Sequence, residues 1–290
     1  MGSKKKGADA PPDSQTSPVA DTQPPARTFK LGWKKNEADE RDLHARAHFG
    51  APRNLPGEAL RLADLVRRVR DQASTSSCVG HAIASAVDVR LRFLQKTLPE
   101  PAPLGVYGFA RMLEKSSRGT LLADEGCYPR DALKGLKQFG IPAESDWPFT
   151  EDPAVVNEEL PWDVEQKASA GRVEAFYALV GGGETLLQDI CNALNQNYPV
   201  PYGTNVTQAF MDYAGGGPSR AMKAPGPLDR RLGGHETLIL GYTTVAGRLV
   251  FQCLNSWGTS WGDTGFYWAD QDFLLDPEAS DFNAIQVAAA

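Results

Sequence analysis

Apolar positions recur at helical spacing in four stretches of the chain. Val79, Ile83, Ala86 and Val87 define a first helix that starts near Cys78. Val106, Phe109, Ala110 and Leu113 define a second, Ala132, Leu133, Leu136 and Phe139 a third, and Leu186, Leu187, Ile190 and Leu194 a fourth. After Asn197 the texture changes to short β-rich runs separated by Gly and Pro, at residues 200–206, 237–242, 249–254, 266–268 and 284–287. The pattern predicts an α+β chain of two lobes: a helical lobe over residues 57–196 and a twisted antiparallel sheet or small barrel over residues 197–290. The junction of such lobes is a natural place for a cleft.

Upstream of residue 57 the apolar pattern fades. Residues 1–30 are rich in Pro, Ser, Ala and charge and carry too little apolar surface to offset the entropy of ordering, so a disordered tail is expected. Lys4, Lys5 and Lys6 read as a solvated charge run. Residues 31–56 remain polar but carry the anchors Leu31, Trp33 and Phe49, which predicts a strap or lid laid over the body. His44 and His48, four apart, lack the Glu of an H-E-x-x-H arrangement and read as surface histidines. The run Gly181, Gly182, Gly183 has no following Gly-Lys-Ser/Thr and reads as a turn, not a phosphate cradle.

With 290 residues, 41% of them hydrophobic, the chain can bury a sizeable core. Its net charge of −6 does not supply the cationic surface of sequence-independent nucleic-acid binding, so no nucleic-acid partner is expected. No apolar run approaches the ~20 residues of a membrane span, and no hydrophobic signal segment opens the chain. Cytoplasmic residence is the expectation. Four cysteines (Cys78, Cys127, Cys191, Cys253) are too sparse for a disulfide scaffold and show no C-x-x-C spacing. No pattern calls for a metal, nucleotide or flavin, and none is expected as a cofactor. Oligomeric state is not legible.

The chemistry concentrates in two places. Ser76 and Ser77 are good helix caps, which puts Cys78 in the first helical turn, where unpaired N–H groups favour a thiolate. Alone, Cys78 reads equally as a small buried hydrophobe at a helix start. His235 opens one β run and Asn255 closes the next, so adjacent antiparallel strands can bring the two side chains together. A thiol mechanism needs that set: an imidazole to take and return the proton, and a third group to fix its tautomer. His81, three residues after Cys78, is a rival base whose ring points along the helix; its plain reading is a packed histidine of the helical lobe.

These residues resemble the papain-like cysteine peptidases. Gln72 stands six residues before Cys78, His235 opens a hydrophobic strand ending in Gly241-Tyr242, and Asn255-Ser256-Trp257-Gly258-Thr259-Ser260-Trp261-Gly262 follows. Weaker agreement runs through Tyr128-Pro129 and Trp147-Pro148-Phe149, and the likeness covers about residues 57–288. The resemblance implies a two-lobe fold, helical lobe then β-barrel-like lobe, with the active-site cleft between. It implies Cys78 as nucleophile, His235 as base then acid, Asn255 as its orienting partner, and Gln72 with the Cys78 N–H as oxyanion donors, acting through an acyl-enzyme on a peptide or protein substrate. It places Tyr128, Pro129, Glu236 and Trp257 at the substrate cleft, with Trp257 shielding the Asn–His hydrogen bond. Glu236 stands where the family has a small pocket-lining residue, implying preference for a basic or polar side chain; an outward surface carboxylate is its other reading. The chain departs from the family at Val79, at Thr75, where a disulfide cysteine is usual, and at Gly126-Cys127, where a glycine pair is usual. A deamidase, amidase or transpeptidase would use the same site, and a silent peptide-binding module is a third reading, although Gln72, Cys78, His235 and Asn255 are all present.

Overall fold

The computed structural model describes residues 1–2, 29–52, 55–118 and 122–288. The tail expected over residues 1–30 therefore lies outside the described residues, apart from its two ends. Along the chain come a short helix α1 (Ala45–Phe49), a single helical turn at Ala63–Leu65, and the long helices α2 (Cys78–Phe93) and α3 (Pro103–Arg118). Then follow α4 (Pro129–Gln138), the short α5 (Pro153–Val156) and α6 (Trp162–Ala168), strand β1 (Val173–Ala178) and helix α7 (Gly183–Asn195). The last part comprises β2 (Val200–Thr207), α8 (Gln208–Met211), β3 (Arg231–Val245), β4 (Arg248–Leu254), β5 (Phe266–Asp270), α9 (Gln271–Leu274) and β6 (Asn283–Val287).

Helix α2 is buried around its whole circumference from Cys78 to Leu91, and its buried charges are paired, Asp88 with Arg67 and Arg90 with the Asn197 carbonyl. It packs against α3 and α4 on one side and against β3 on the other, so its N-terminus opens at the boundary of the lobes. Proline begins α3 and α4, where its missing N–H costs no helical hydrogen bond. One apolar core runs through both lobes, from Leu62 and Ile83 to Phe251 and Phe273.

The β lobe is an antiparallel sheet of order β2-β3-β4-β5, open at both ends, with β1 and β6 paired separately. It is thus not a closed barrel: the hairpin strands stop at an edge, and β6 leaves the sheet to meet β1. Val245 pairs with Arg248 across a two-residue turn in which Ala246 (φ 49°) and Gly247 (φ 78°) both have positive φ, the turn geometry that suits the right-handed twist of a hairpin. Strand β1 lies within the segment read as helical. Its six residues give too short an alternation to stand out, and its partner is more than 100 residues away. Helix α7, read with the helical lobe, packs on β2 and β3.

Candidate active site

Cys78 is the first residue of α2 and fully buried. Ser77 occupies the cap position, yet its hydroxyl makes no capping bond; it lies 2.6 Å from the Thr75 hydroxyl and 3.1 Å from His81 Nδ1. Ser76 donates instead to the Asp124 carbonyl. The expected side-chain caps are therefore absent because a local hydroxyl network takes both serines. The thiol is not lowered either: burial pushes it up to about 12, with the Glu236 carboxyl adding to the rise, while backbone N–H groups of Glu236, Gly32 and Val79 pull the other way.

His235 sits in β3 opposite Thr204 of β2, and Asn255 follows the end of β4. The His235 Nε2 lies 2.7 Å from Asn255 Oδ1, which also accepts the Ser256 N–H at 2.8 Å. The acceptor role of that oxygen assigns the proton to Nε2. His235 Nδ1 is buried and has no hydrogen-bond partner among the described residues. Burial pushes the imidazole down to about 4 despite the Asn255 bond. The Trp257 ring lies 4.6 Å from the His235 ring, centroid to centroid, and is fully buried. It lies against the imidazole that bonds Asn255.

Gln72 is locked from both ends. Its Oε1 accepts the Ser256 hydroxyl at 2.7 Å and its backbone N–H donates to the Ser256 carbonyl at 2.8 Å. Its Nε2 is thereby turned to donate to the carbonyls of Thr75 (2.8 Å) and Lys30 (2.9 Å). Ser256 was visible in the sequence run, but nothing there showed that it orients the glutamine.

The second of these acceptors reveals what fills the cleft. Residues 29–34 run through it as an extended segment. The Phe29 ring stacks on Trp257 at 4.3 Å, and Trp33 N–H donates to the Gly234 carbonyl at 3.0 Å. Cys127 N–H donates to the Gly32 carbonyl at 2.9 Å, and Lys34 N–H to the Cys127 carbonyl at 3.1 Å. The strap thus includes Phe29 and Lys30, inside the range read as tail, and it pairs with both walls. Cys127 uses only its backbone here, so it serves where the family has glycine. Tyr128 caps α4 and Pro129 is its first residue; Lys34 Nζ lies 5.6 Å from the Tyr128 ring centroid, which puts this wall beside the strap.

Glu236 points inward. It is fully buried, both carboxyl oxygens lack partners among the described residues, and burial raises its pKa well above the usual carboxylate range. His81 is the packed histidine: Nδ1 lies 3.0 Å from the Ser77 carbonyl, Phe149 meets it edge-on, and burial pushes it down to about 3. His48 stacks on Tyr177, and among the described residues no group of His, Cys, Asp and Glu is arranged to hold a metal.

The helix-start cysteine and the strand-borne histidine thus lie on two elements that pack together, α2 and β3. The chain belongs to the papain family of cysteine proteases, whose family model matches residues 59–274. It is 26% identical over 224 residues to an uncharacterised peptidase C1-like protein of Acanthamoeba polyphaga mimivirus, covering 74% of this chain and 68% of that one. It is 29% identical over 143 residues to a cathepsin L-like proteinase of Fasciola hepatica, covering 49% of this chain and 39% of the fluke protein. The fold is shared with xylellain, a cysteine protease of Xylella fastidiosa, at a TM-score of 0.76 and 21% identity over 89% of this chain and 96% of that one. It is also shared with procathepsin L 3 of Tenebrio molitor, at a TM-score of 0.63 and 19% identity over 81% and 71%.

Proposed function

We propose that the protein hydrolyses peptide bonds through an acyl-enzyme formed on Cys78. In this reading His235 Nδ1 takes the thiol proton and returns it to the leaving amine. Asn255 holds the ring in the tautomer that leaves Nδ1 free, and Gln72 Nε2 with the Cys78 N–H donates to the oxyanion. Water then attacks the thioester, His235 again acting as base. The observation that carries the reading is the 2.7 Å His235–Asn255 bond with an unpartnered Nδ1 on the same ring. The paired walls at Cys127 and Gly234 support an extended peptide, framed by Tyr128, Pro129, Trp257 and Glu236, over an isolated side-chain amide.

The strap makes this a latent form. The Lys30 carbonyl occupies Gln72 Nε2, and Gly32 lies against the start of the Cys78 helix, where a Cβ on it would stand 1.9 Å from the Ser76 carbonyl oxygen. Catalysis requires residues 29–34 to leave. The test is labelling by an epoxide inhibitor of papain-like peptidases under reducing conditions, with Cys78→Ala and His235→Ala as controls. The reading expects label on Cys78 alone, faster once the strap is displaced and lost without His235. Label elsewhere, or label indifferent to His235, contradicts it.

A further inference from the structure

The strap also reads out the chemistry of a pocket. Glu236 lies directly opposite Gly203 in the β2–β3 register, and paired residues of antiparallel strands project to one face. Gly234, two residues from Glu236, shares that face. A Cβ on Gly203 would stand 2.0 Å from the Trp33 indole, and one on Gly234 would stand 2.7 Å from the same ring. The indole therefore fills a slot floored by two glycines, on the face from which Glu236 rises. It is 7% exposed, and its Nε1–H donates to Asp281 Oδ2 at 2.9 Å.

This occupant fits incompletely. Asp281 is satisfied by Trp33 and by the Asn36 backbone and side-chain amides, at 3.1 and 2.9 Å. Glu236 receives nothing, because an indole has one donor and Asp281 holds it. A fully buried carboxyl and a half-buried one around one slot call for an occupant with several donors and positive charge. We propose that Glu236 and Asp281 select an arginine or lysine side chain of the peptide substrate, arginine foremost, at the slot that Trp33 fills in the latent form. Guanidinium presents five N–H donors in a planar fork and can donate to both carboxylates; an aliphatic side chain leaves Glu236 unpaired and removes the donor that Trp33 gives Asp281. The inference rests on the cleft being a peptide site, and it assigns the substrate class of that site.

The strap itself supplies a test that needs no turnover. In the full chain, alkylation of Cys78 by iodoacetamide, followed by peptide mass spectrometry, reports strap release. Trp33→Arg is expected to label as slowly as the unsubstituted chain or slower, and Trp33→Leu at least tenfold faster. In a Glu236→Gln, Asp281→Asn background the advantage of Arg over Leu disappears. Equal labelling of Arg and Leu variants, or an Arg advantage that survives loss of both carboxyls, overturns the proposal. A second readout uses the Trp33→Ala full chain and acyl-dipeptide amides with Arg or Leu as the penultimate residue before the cleaved bond. Arginine is expected to raise kcat/KM tenfold or more, and Leu equal to Arg overturns the selection. Absence of any hydrolysis in a chain whose Cys78 alkylates readily would count against the peptidase reading instead, with the alkylation order still deciding the pocket.

Discussion

The Lys30 carbonyl accepts the Gln72 Nε2–H at 2.9 Å, so the strap holds the same donor that an oxyanion would require. Two residues later Gly32 lies against the Ser76 carbonyl at the start of the Cys78 helix. In the proposed mechanism substrate and strap therefore compete for one set of groups, which makes occlusion and catalysis alternative states of a single cleft.

Gly32 is the point where that competition is easiest to tip. A Cβ there would stand 1.9 Å from the Ser76 carbonyl oxygen, a backbone atom at the start of α2 that cannot yield without moving the nucleophile helix. Gly32→Val is expected to expel the strap while leaving the two lobes folded. Iodoacetamide labelling of Cys78 should accelerate by tenfold or more at pH 7.5, with the thiol returning toward its ordinary range as water reaches it. Unchanged labelling with an unchanged melting curve would show that the strap is not what closes the site.

The orienting contacts carry separable costs. Asn255→Ala removes the acceptor of His235 Nε2–H, and kcat of the opened enzyme is expected to fall, by at most the roughly 10²–10⁴-fold that general acid–base catalysis is worth. Ser256→Ala touches no reacting atom but frees the Gln72 amide, whose Oε1 then has lost its hydroxyl donor. A loss of one oxyanion donor costs roughly 10²–10³ in kcat, so Ser256→Ala should reproduce part of the Gln72→Ala deficit in kcat with KM little changed. Additive losses in the Gln72→Ala, Ser256→Ala double variant would mean that Ser256 acts elsewhere.

Much of this site was legible before the fold. The 3.6-residue spacing of Val79, Ile83 and Val87 locates α2, and the Asn-Ser-Trp-Gly run marks the turn that carries Asn255, because both are local patterns. What escaped is non-local. Strand β1 is defined by its pairing with β6, and Asp281 meets Trp33 and Asn36 from 248 and 245 positions away. Ser77 has the composition of a cap but spends its hydroxyl on Thr75 and His81. The helix-start argument for a thiolate holds for an open site; here Gly32 and Trp33 exclude the water on which a lowered thiol pKa depends.

Buried titratable groups give the fold a pH dependence whose signs can be separated. His235 is held near 4, below its ordinary value of 6.5, so the unfolded chain binds more protons between those values. Its contribution is full above about pH 6.5 and is lost as pH falls toward 4; the separation corresponds to roughly 3 kcal/mol. Glu236 acts the opposite way. Its folded pKa is raised by burial first and by Asp281 second, so its contribution is full below the unfolded value of 4.5 and lost as pH rises through the folded value. Asp281, also raised, has the same sign. Glu236→Gln removes the loss at high pH without touching His235. Its melting temperature should therefore exceed that of the unsubstituted chain by several degrees at pH 7.5, with the gap closing toward pH 4, where the carboxyl is protonated in both states. The Glu236→Gln protein should lose stability on acidification below pH 6.5, whereas in the unsubstituted chain the Glu236 gain offsets the His235 loss over that range. A gap that persists unchanged to pH 4 would mean that the glutamine packs better, and that the buried carboxyl was not the source of the penalty.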